Sequence, residues 1–252
     1  MRVKPKCTLP MALLILTSLL TGTSHAFSRV QPTAIEWDLL PDWCRSAGHT
    51  AGDDRSWKRP QGAQTSARKL SPAEGKLLWG IGGWHYCTGH IKVMRLESRP
   101  QRPDRDSLLK QAFGDINYSL SKISPEEPWA AQMAVTLARA FRVAREPEKA
   151  LQVLDKYRPL HPRYAQLYLA YTVVYFDQKD YHSAVEVLEE GNRNTGDRIG
   201  ELQYYLGLAH FRAGNIEQAR LYADKARNNR YPFKALARKL AEYDAKNGKT
   251  PD

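Results

Sequence analysis

The densest group of side chains able to do chemistry is the run His85-Tyr86-Cys87-Thr88-Gly89-His90, with Cys44 and His49 elsewhere in the chain. Imidazole and thiolate are ligands of zinc and copper, so one interpretation is a metal-binding or enzymatic protein that uses His85, Cys87 and His90. On one helix, however, His85 and Cys87 would point about 200° apart. A single compact site is therefore difficult to build, and we expect no metal and no cofactor.

Other patterns typical of enzymes are missing from the sequence. The chain contains no Gly-x-Ser-x-Gly, no His-Glu-x-x-His and no glycine-rich loop that would cradle a phosphate. Glutamates such as Glu186, Glu189 and Glu190 fall on predicted helix surfaces, where solvation explains them. We therefore expect a protein that is not an enzyme.

The first 26 residues have the pattern of a secretory signal peptide. Arg2, Lys4 and Lys6 precede an apolar run from Leu9 to Leu20, and Ser24-His25-Ala26 provides a cleavage site with small residues. The alternative is an uncleaved membrane anchor, but the run is shorter than the roughly 20 apolar residues that span a bilayer. We expect cleavage after Ala26 and export, with the bacterial periplasm as the expected compartment.

Export has consequences for charge and for cysteines. Cleavage removes three basic residues and lowers the net charge from +11 to 11 − 3 = +8. Nucleic acid is then not expected as a partner, and most of the charge is expected on solvated helix faces.

The two remaining cysteines, Cys44 and Cys87, predict a disulfide. In the chain-entropy model, closing this loop stabilises the folded state by about 4 kcal/mol.

Residues 27–122 are expected to form an N-terminal helical module that contains a mobile loop at residues 48–70. Ser71-Pro72-Ala73-Glu74 predicts a helix start with a capping box. The helix should continue to about Arg95, with a break near Gly82-Gly83 as the competing interpretation. Glycines spaced seven residues apart along it, from Gly75 to Gly89, suggest a closely packed neighbour, for which the segment Trp37–Cys44 is the candidate. A second helix is predicted at residues 106–121.

Three small residues recur at one period in the second half of the chain. Ala150, Ala184 and Ala219 lie 34 and 35 residues apart, and each falls at the same point of a helix–turn–helix pattern. The pattern predicts three helix hairpins over residues 126–230, followed by a basic capping helix at 231–246 and a frayed tail at 247–252. Contact of the capping helix with a membrane surface is a further possibility, and the oligomeric state is not predicted.

These hairpins resemble the tetratricopeptide repeat (TPR) family over residues 131–232. Family features recur in register in the three copies: Leu137-Ala138, Phe141, Ala150, Leu154 and Pro162; Tyr175, Ala184, Leu188 and Gly191; Leu206-Gly207, Ala219, Ala226 and Pro232. The copies depart from the pattern at Tyr157, Tyr171-Thr172, His210 and Ala223. The resemblance implies an all-α fold, a right-handed α-solenoid that binds a protein or peptide segment. The segments Trp37–Cys44 and His85–Gly89 are also similar to pieces that precede the repeats in some exported proteobacterial TPR proteins.

In this family the first helices of the repeats line a concave groove. The facing positions here would be Gln132, Val135, Arg139, Arg142, Gln166, Leu169, Val173, Phe176, Tyr204, Leu208, Phe211 and Arg212. This surface is mainly apolar and aromatic, and it lacks the lysines and asparagines with which some TPR domains hold a terminal carboxylate. We expect a scaffold or assembly adaptor of the cell envelope that docks an apolar segment. The alternative is that the chain's own N-terminal module or end helix fills the groove.

Overall fold

The computed structural model describes residues 30–47, 57, 59–64 and 68–248. The predicted signal peptide lies outside these residues. So do 48–56, 58 and 65–67 of the predicted loop and 249–252 of the predicted tail. Those predictions therefore stay predictions.

Within the described residues the chain is all-helical, without strands, as predicted. Its twelve helices are α1 (Ala34–Leu39), α2 (Asp42–Ala47), α3 (Pro72–Gly80), α4 (Gly83–Ser98), α5 (Arg105–Leu120), α6 (Pro128–Val143), α7 (Pro147–Tyr157), α8 (Ala165–Gln178), α9 (Tyr181–Asn194), α10 (Gly200–Arg212), α11 (Ile216–Asn228) and α12 (Ala235–Lys246). In this part of the chain, no helix has both the length and the apolar character needed to cross a bilayer.

The three predicted repeats are the hairpins α6–α7, α8–α9 and α10–α11. The recurring alanines Ala150, Ala184 and Ala219 are completely buried where the two helices of each hairpin cross. In repeat three the crossing partner is Gly207, where an added Cβ would lie 3.2 Å from the Ala219 carbonyl oxygen and 3.2 Å from Tyr222 Cβ. Only a small residue fits a crossing this close, which is the physical reason for the period.

The start of α3 is capped as predicted. The long helix predicted from Ser71 to Arg95 is wrong, and the competing interpretation, a break near Gly82-Gly83, is confirmed. Ser71 Oγ accepts from the Glu74 amide, and the Glu74 carboxylate accepts from the Ser71 amide. The chain then turns at Gly82, whose φ of 65° lies in the left-handed region. A Cβ at Gly82 would lie 2.5 Å from the Tyr118 ring. Glycine is therefore required there, and α4 begins as a separate helix.

Helices α4 and α5 form a further hairpin, which comes before the three repeats in the chain and stacks on repeat one. It is called here the first hairpin. A Cβ added to Gly89 would lie 3.2 Å from the Ala112 carbonyl oxygen and 3.1 Å from Asp115 Cβ. Gly89 and Ala112 thus reproduce the crossing of Gly207 and Ala219 in repeat three. The closely packed neighbour of Gly89 is therefore α5, and the prediction that it is the segment Trp37–Cys44 was wrong.

The array is closed at its C-terminal end by α12, as predicted, but this helix begins at Ala235 rather than Tyr231. Pro232 follows Tyr231 and disfavours helical backbone there, and Arg230 has a φ of 58°. Leu236 and Leu240 of α12 form a buried cluster with Leu208. The end helix thereby removes the last apolar face of the solenoid from water.

Candidate partner-binding groove

The predicted groove residues lie on α6, α8 and α10, and side chains of four of them connect successive first helices. Arg139 and Arg142 of α6 pair with Glu97 of α4. Arg142 also reaches Asp177 of α8, with 3.1 Å between Nη1 and Oδ2. The guanidinium of Arg212 on α10 lies 4.7 Å from the centre of the Phe176 ring on α8. The predicted groove divides into an N-terminal, a central and a C-terminal part.

The N-terminal part of the groove is filled by the chain's own helices α1 and α2. Cys44 of α2 is joined to Cys87 of α4 by the predicted disulfide. The Trp43 ring stacks on Tyr86 with 5.2 Å between ring centres. The Trp43 indole also donates from Nε1 to Oε1 of Gln132, at 2.6 Å. Trp43 is thus bound between the first hairpin and repeat one.

Helix α1 is attached to the same hairpin by charge. Arg95 of α4 donates from Nε to Oε1 of Glu36 at 2.7 Å and from Nη2 to the Gln31 carbonyl at 2.7 Å. Burial alone would raise the pKa of Glu36, but the Arg95 hydrogen bond and charge hold it below its usual value. The carboxylate is therefore ionised at neutral pH, and it fixes α1 beside α4.

A small polar network lies beneath Trp43. Tyr86 Oη is 2.9 Å from Thr136 Oγ1, and His90 Nδ1 is 3.0 Å from the same hydroxyl. Burial, aided by the nearby positive charge of Arg139, lowers the pKa of His90 to about 3. Burial likewise raises the pKa of the Tyr86 phenol. Both side chains are therefore neutral at physiological pH and serve to join α4 to α6.

Glu97 forms the shared wall of two clefts beside this region. One cleft of about 430 Å³ is lined by Leu39, His90, Met94, Glu97, Ser98 and Arg139. The other, of about 440 Å³, lies between the ends of α4 and α6. Burial tends to raise the pKa of Glu97, but hydrogen bonds and charge from Arg139 and Arg142 hold it below its usual range. The two arginines are thereby neutralised within the chain.

The C-terminal part of the groove is also covered by the chain. Tyr204 packs against Tyr231, with 5.1 Å between ring centres, and against Phe233. Phe211 meets Tyr243 of α12 edge to face, and Leu208 is only 9% exposed within its cluster. These three predicted groove residues therefore contact α12 and the segment before it.

The central part, called here the central groove, is defined by Val135, Gln166, Leu169, Val173 and Phe176. Val135, Val173 and Phe176 are half-buried, Leu169 is buried and Gln166 is exposed. The surface is apolar, with the Gln166 amide as its polar group. Phe176 already contacts the Arg212 guanidinium and the Tyr181 ring. The accessible part of this set is therefore Gln166 with the half-buried Val135 and Val173.

The cluster of His85, Cys87 and His90 does not form one site. Cys87 is in the disulfide, His90 faces Thr136 of α6, and His85 Nδ1 lies 3.0 Å from Asp115 Oδ1 of α5. No group of three or more potential metal ligands occurs among the described residues. The metal-binding or enzymatic interpretation is not favoured.

The sequence interpretation missed a buried charged pair inside the first hairpin. Lys92 Nζ donates to Asp115 Oδ2 at 2.6 Å, and both side chains are more than nine-tenths buried. Lys92 lies three residues after Gly89, and Asp115 lies three residues after Ala112. The small residues Gly89 and Ala112 could have indicated the close crossing of this hairpin. They lie 23 positions apart, however, whereas Gly207 and Ala219 of repeat three lie 12 positions apart, so the repeat spacing did not reveal them.

Comparisons with known proteins find no matching family model and no matching curated protein. Among solved structures, the chain is similar to MamA, with a TM-score of 0.43 and 17% identity over 65% of this chain and 96% of that chain. A second MamA structure gives a TM-score of 0.42 and 16% identity, covering 63% and 94%. TTC0263, a thermophilic TPR protein of Thermus thermophilus, gives 0.40 and 19%, covering 66% and 95%. The assignment of helix hairpins to the described chain rests on the close helix crossings described above.

Proposed function

We propose that this protein is a non-catalytic adaptor, exported to the cell envelope, that docks a segment of another protein in its central groove. The carrying observation is that the chain covers both ends of the groove, by α1–α2 and by α12, and leaves the apolar centre accessible. Burial of that surface by a partner segment would contribute about 25 cal/mol per Å² removed from water. The bacterial periplasm is the proposed compartment because of the N-terminal pattern and the cysteine pair.

The docking proposal is tested by a photoreactive side chain placed at Val173 in the full chain expressed in a bacterial envelope. A matched control carries the probe at Glu186, which is exposed on α9. We expect protein adducts from position 173 that are absent at 186 and that disappear when Val135→Glu is added. Equal labelling at both positions would remove the central groove as the docking site.

Export is tested separately by the intact mass of the protein recovered from the periplasmic fraction. We expect a chain that begins at Phe27 and that gains two protons on reduction of the cysteine pair. A chain that retains residues 1–26 in the membrane fraction would support the uncleaved anchor instead.

A further inference from the structure

An exposed aromatic side chain lies among basic residues at the C-terminal end of the array. Phe233, in the segment between α11 and α12, is 64% exposed. Its ring contacts that of Tyr231, with 5.3 Å between ring centres. Residues 225–241, which surround it in the chain, contain six basic residues and no acidic one. Phe233 is therefore an apolar side chain that faces water within a strongly basic segment.

The loop before α10 extends this surface. Gly200 packs against the segment between α11 and α12, since an added Cβ would lie 3.0 Å from Tyr231 Cβ and 3.2 Å from the Asn229 carbonyl oxygen. The two residues that precede Gly200, Arg198 and Ile199, are exposed. The two loops thus form one corner of the molecule, called here the basic corner and defined as Arg198, Ile199, Arg230, Tyr231, Phe233 and Lys234.

The cations of the basic corner are not neutralised within the described chain. Lys225 and Arg227, just before the corner, each pair with an aspartate. No ion pair joins any other described residue to the three cations of the corner, Arg198, Arg230 and Lys234. Glu201 of α10 lies nearby, and its charge adds to the effect of burial in raising the pKa of Tyr231 to about 12. The three cations outnumber this acid, so the corner has a net positive charge.

We propose that the basic corner binds the surface of an anionic lipid bilayer. Lys and Arg attract anionic headgroups, and an aromatic ring beside them enters the boundary between headgroups and acyl chains. The corner offers this combination on two adjacent loops. The clefts described above, by contrast, lie beside α4 and α6. An exposed ring surrounded by cations suits a flat layer of phosphates, whereas a bound peptide is better held in a groove.

The basic corner is separate from the central groove, so this proposal does not rest on the adaptor function. It also differs from the membrane contact suggested by the sequence, which would use α12. Glu242 lies four residues after Arg238 and three after Lys239, and an acid therefore shares the exposed surface of that helix with its cations. Residues 230–234 carry no acid. We therefore place the contact in the loops and not on the capping helix.

The test uses the processed protein, residues 27–252, because the apolar run of the predicted signal peptide would itself enter lipid. Sedimentation with vesicles of phosphatidylglycerol and phosphatidylethanolamine in equal parts measures the affinity, and phosphatidylcholine vesicles are the control without net charge. The corner variants are Phe233→Ala and Arg230→Ala/Lys234→Ala. One control, Trp79→Ala, removes a ring that is 67% exposed on α3. The other, Arg238→Ala/Lys239→Ala, removes two cations of α12.

We expect the wild type to bind the anionic vesicles, with an affinity that falls as salt is added. Arg230→Ala/Lys234→Ala should weaken binding about 25-fold, because each cation contributes roughly a factor of five at an anionic surface. Phe233→Ala should weaken it about tenfold, and Phe233→Trp should retain it, because Trp also favours the interface. Trp79→Ala should change nothing, and the α12 pair should have a smaller effect than the corner pair.

Absence of binding to the anionic vesicles, or equal binding to phosphatidylcholine, would overturn the proposal. So would a loss from the α12 pair as large as that from the corner pair, or no loss from Phe233→Ala, because net charge alone would then explain the attraction. A photoreactive side chain in place of Phe233 should label lipid in the cell envelope, and a protein adduct instead would assign the corner to a protein partner. Thermal unfolding verifies that each exposed substitution leaves the fold intact.

Discussion

The first hairpin and repeat three have the same close helix crossing, but they place different chemistry beside it. Three residues after the crossing glycine, the first hairpin has Lys92 and repeat three has His210. Three residues after the crossing alanine, Lys92 meets Asp115, whereas His210 stacks on Tyr222 with 5.5 Å between ring centres. Neither ring nitrogen of His210 has a hydrogen-bond partner among the described residues. The polar side chain at this position therefore has a partner in the first hairpin, where Lys92 pairs with Asp115, and lacks a hydrogen-bond partner in repeat three, where it is His210.

The two hairpins also differ in what covers their groove face. The first hairpin binds α1–α2 through a disulfide and Trp43, while repeat three is covered by an end helix held by apolar contacts and by the Arg220–Asp244 ion pair. The comparison teaches that the repeat fixes where side chains point, while segments outside the repeat decide which of them a partner can reach. Four changes test this difference, from the largest expected effect to the smallest.

Removing the disulfide should weaken the attachment of α1–α2 to the first hairpin and lower the stability of the protein. Cys44→Ser/Cys87→Ser is expected to lower the free energy of unfolding by about 4 kcal/mol, because the unfolded chain regains the entropy of the closed loop. Urea denaturation of both proteins without reductant measures the difference. Reductant should bring the wild type to the variant's stability once it reaches the buried bond. Equal stability of the oxidised wild type and the variant would contradict this account of the first hairpin.

Breaking the buried pair of the first hairpin should destabilise the protein more than breaking an exposed pair. Asp115→Asn leaves the Lys92 ammonium buried without a carboxylate, and we expect a loss of about 3 kcal/mol in the free energy of unfolding. Lys92→Met/Asp115→Asn should recover most of it, because no charge is then buried. The matched control is Asp224→Asn, which removes an exposed pair with Arg227 and should change stability by less than about 1 kcal/mol. A loss from Asp115→Asn no larger than this control would remove the pair as a stabilising feature.

The close crossing of the first hairpin can be tested with one methyl group. Gly89→Ala places a Cβ 2.8 Å from Ile116 Cγ1 and should destabilise by about 2 kcal/mol. Gly114→Ala, in α5, meets nothing within 4 Å and should stabilise by about 1 kcal/mol through helix propensity. Thermal unfolding of the two variants gives the comparison. The same sign for both would show that α4 and α5 do not cross as closely as in a TPR hairpin.

Replacing the unpaired His210 of repeat three by an apolar ring should have the smallest effect on stability. His210→Phe removes two unpaired ring nitrogens and is expected to raise the free energy of unfolding by about 1 kcal/mol at pH 7.5. Burial lowers the pKa of His210 despite the opposing effect of Glu189, so the folded state favours the neutral ring. The folded state with a neutral His210 ring thus has its full stability above the unfolded pKa of about 6.5. Stability is lost as the pH falls below that value, because the ring is protonated more readily in the unfolded chain.

The advantage of His210→Phe should therefore grow between pH 7.5 and pH 5, as measured by urea denaturation at each pH. His90, whose pKa burial lowers to about 3, destabilises both proteins equally over this range and cancels in the difference. An advantage that is constant with pH would mean that His210 does not resist protonation in the folded state.

The repeats could be predicted because Ala150, Ala184 and Ala219 keep a nearly constant spacing along the chain. The first hairpin could not, because the longer connection between α4 and α5 separates Gly89 from Ala112 by almost twice the usual interval. The groove positions were predicted from the resemblance to the TPR family, and they stay a prediction. Occupation by the chain's own N-terminal module or end helix was stated as the alternative, but the contact that makes it could not be predicted, because the Trp43–Gln132 hydrogen bond joins residues 89 positions apart and α2 lies outside the repeat pattern.

The central claim is that the chain's own N-terminal segment occupies only one end of the groove and leaves the centre accessible. A photoreactive side chain at Leu39, which is 64% exposed at the edge of the cleft beside α4 and α6, tests it directly. Mass spectrometry of the oxidised chain after irradiation should locate intramolecular adducts on His90, Met94, Ser98 or Arg139. Adducts on α8, within residues 165–178, would place the segment in the central groove and contradict the account.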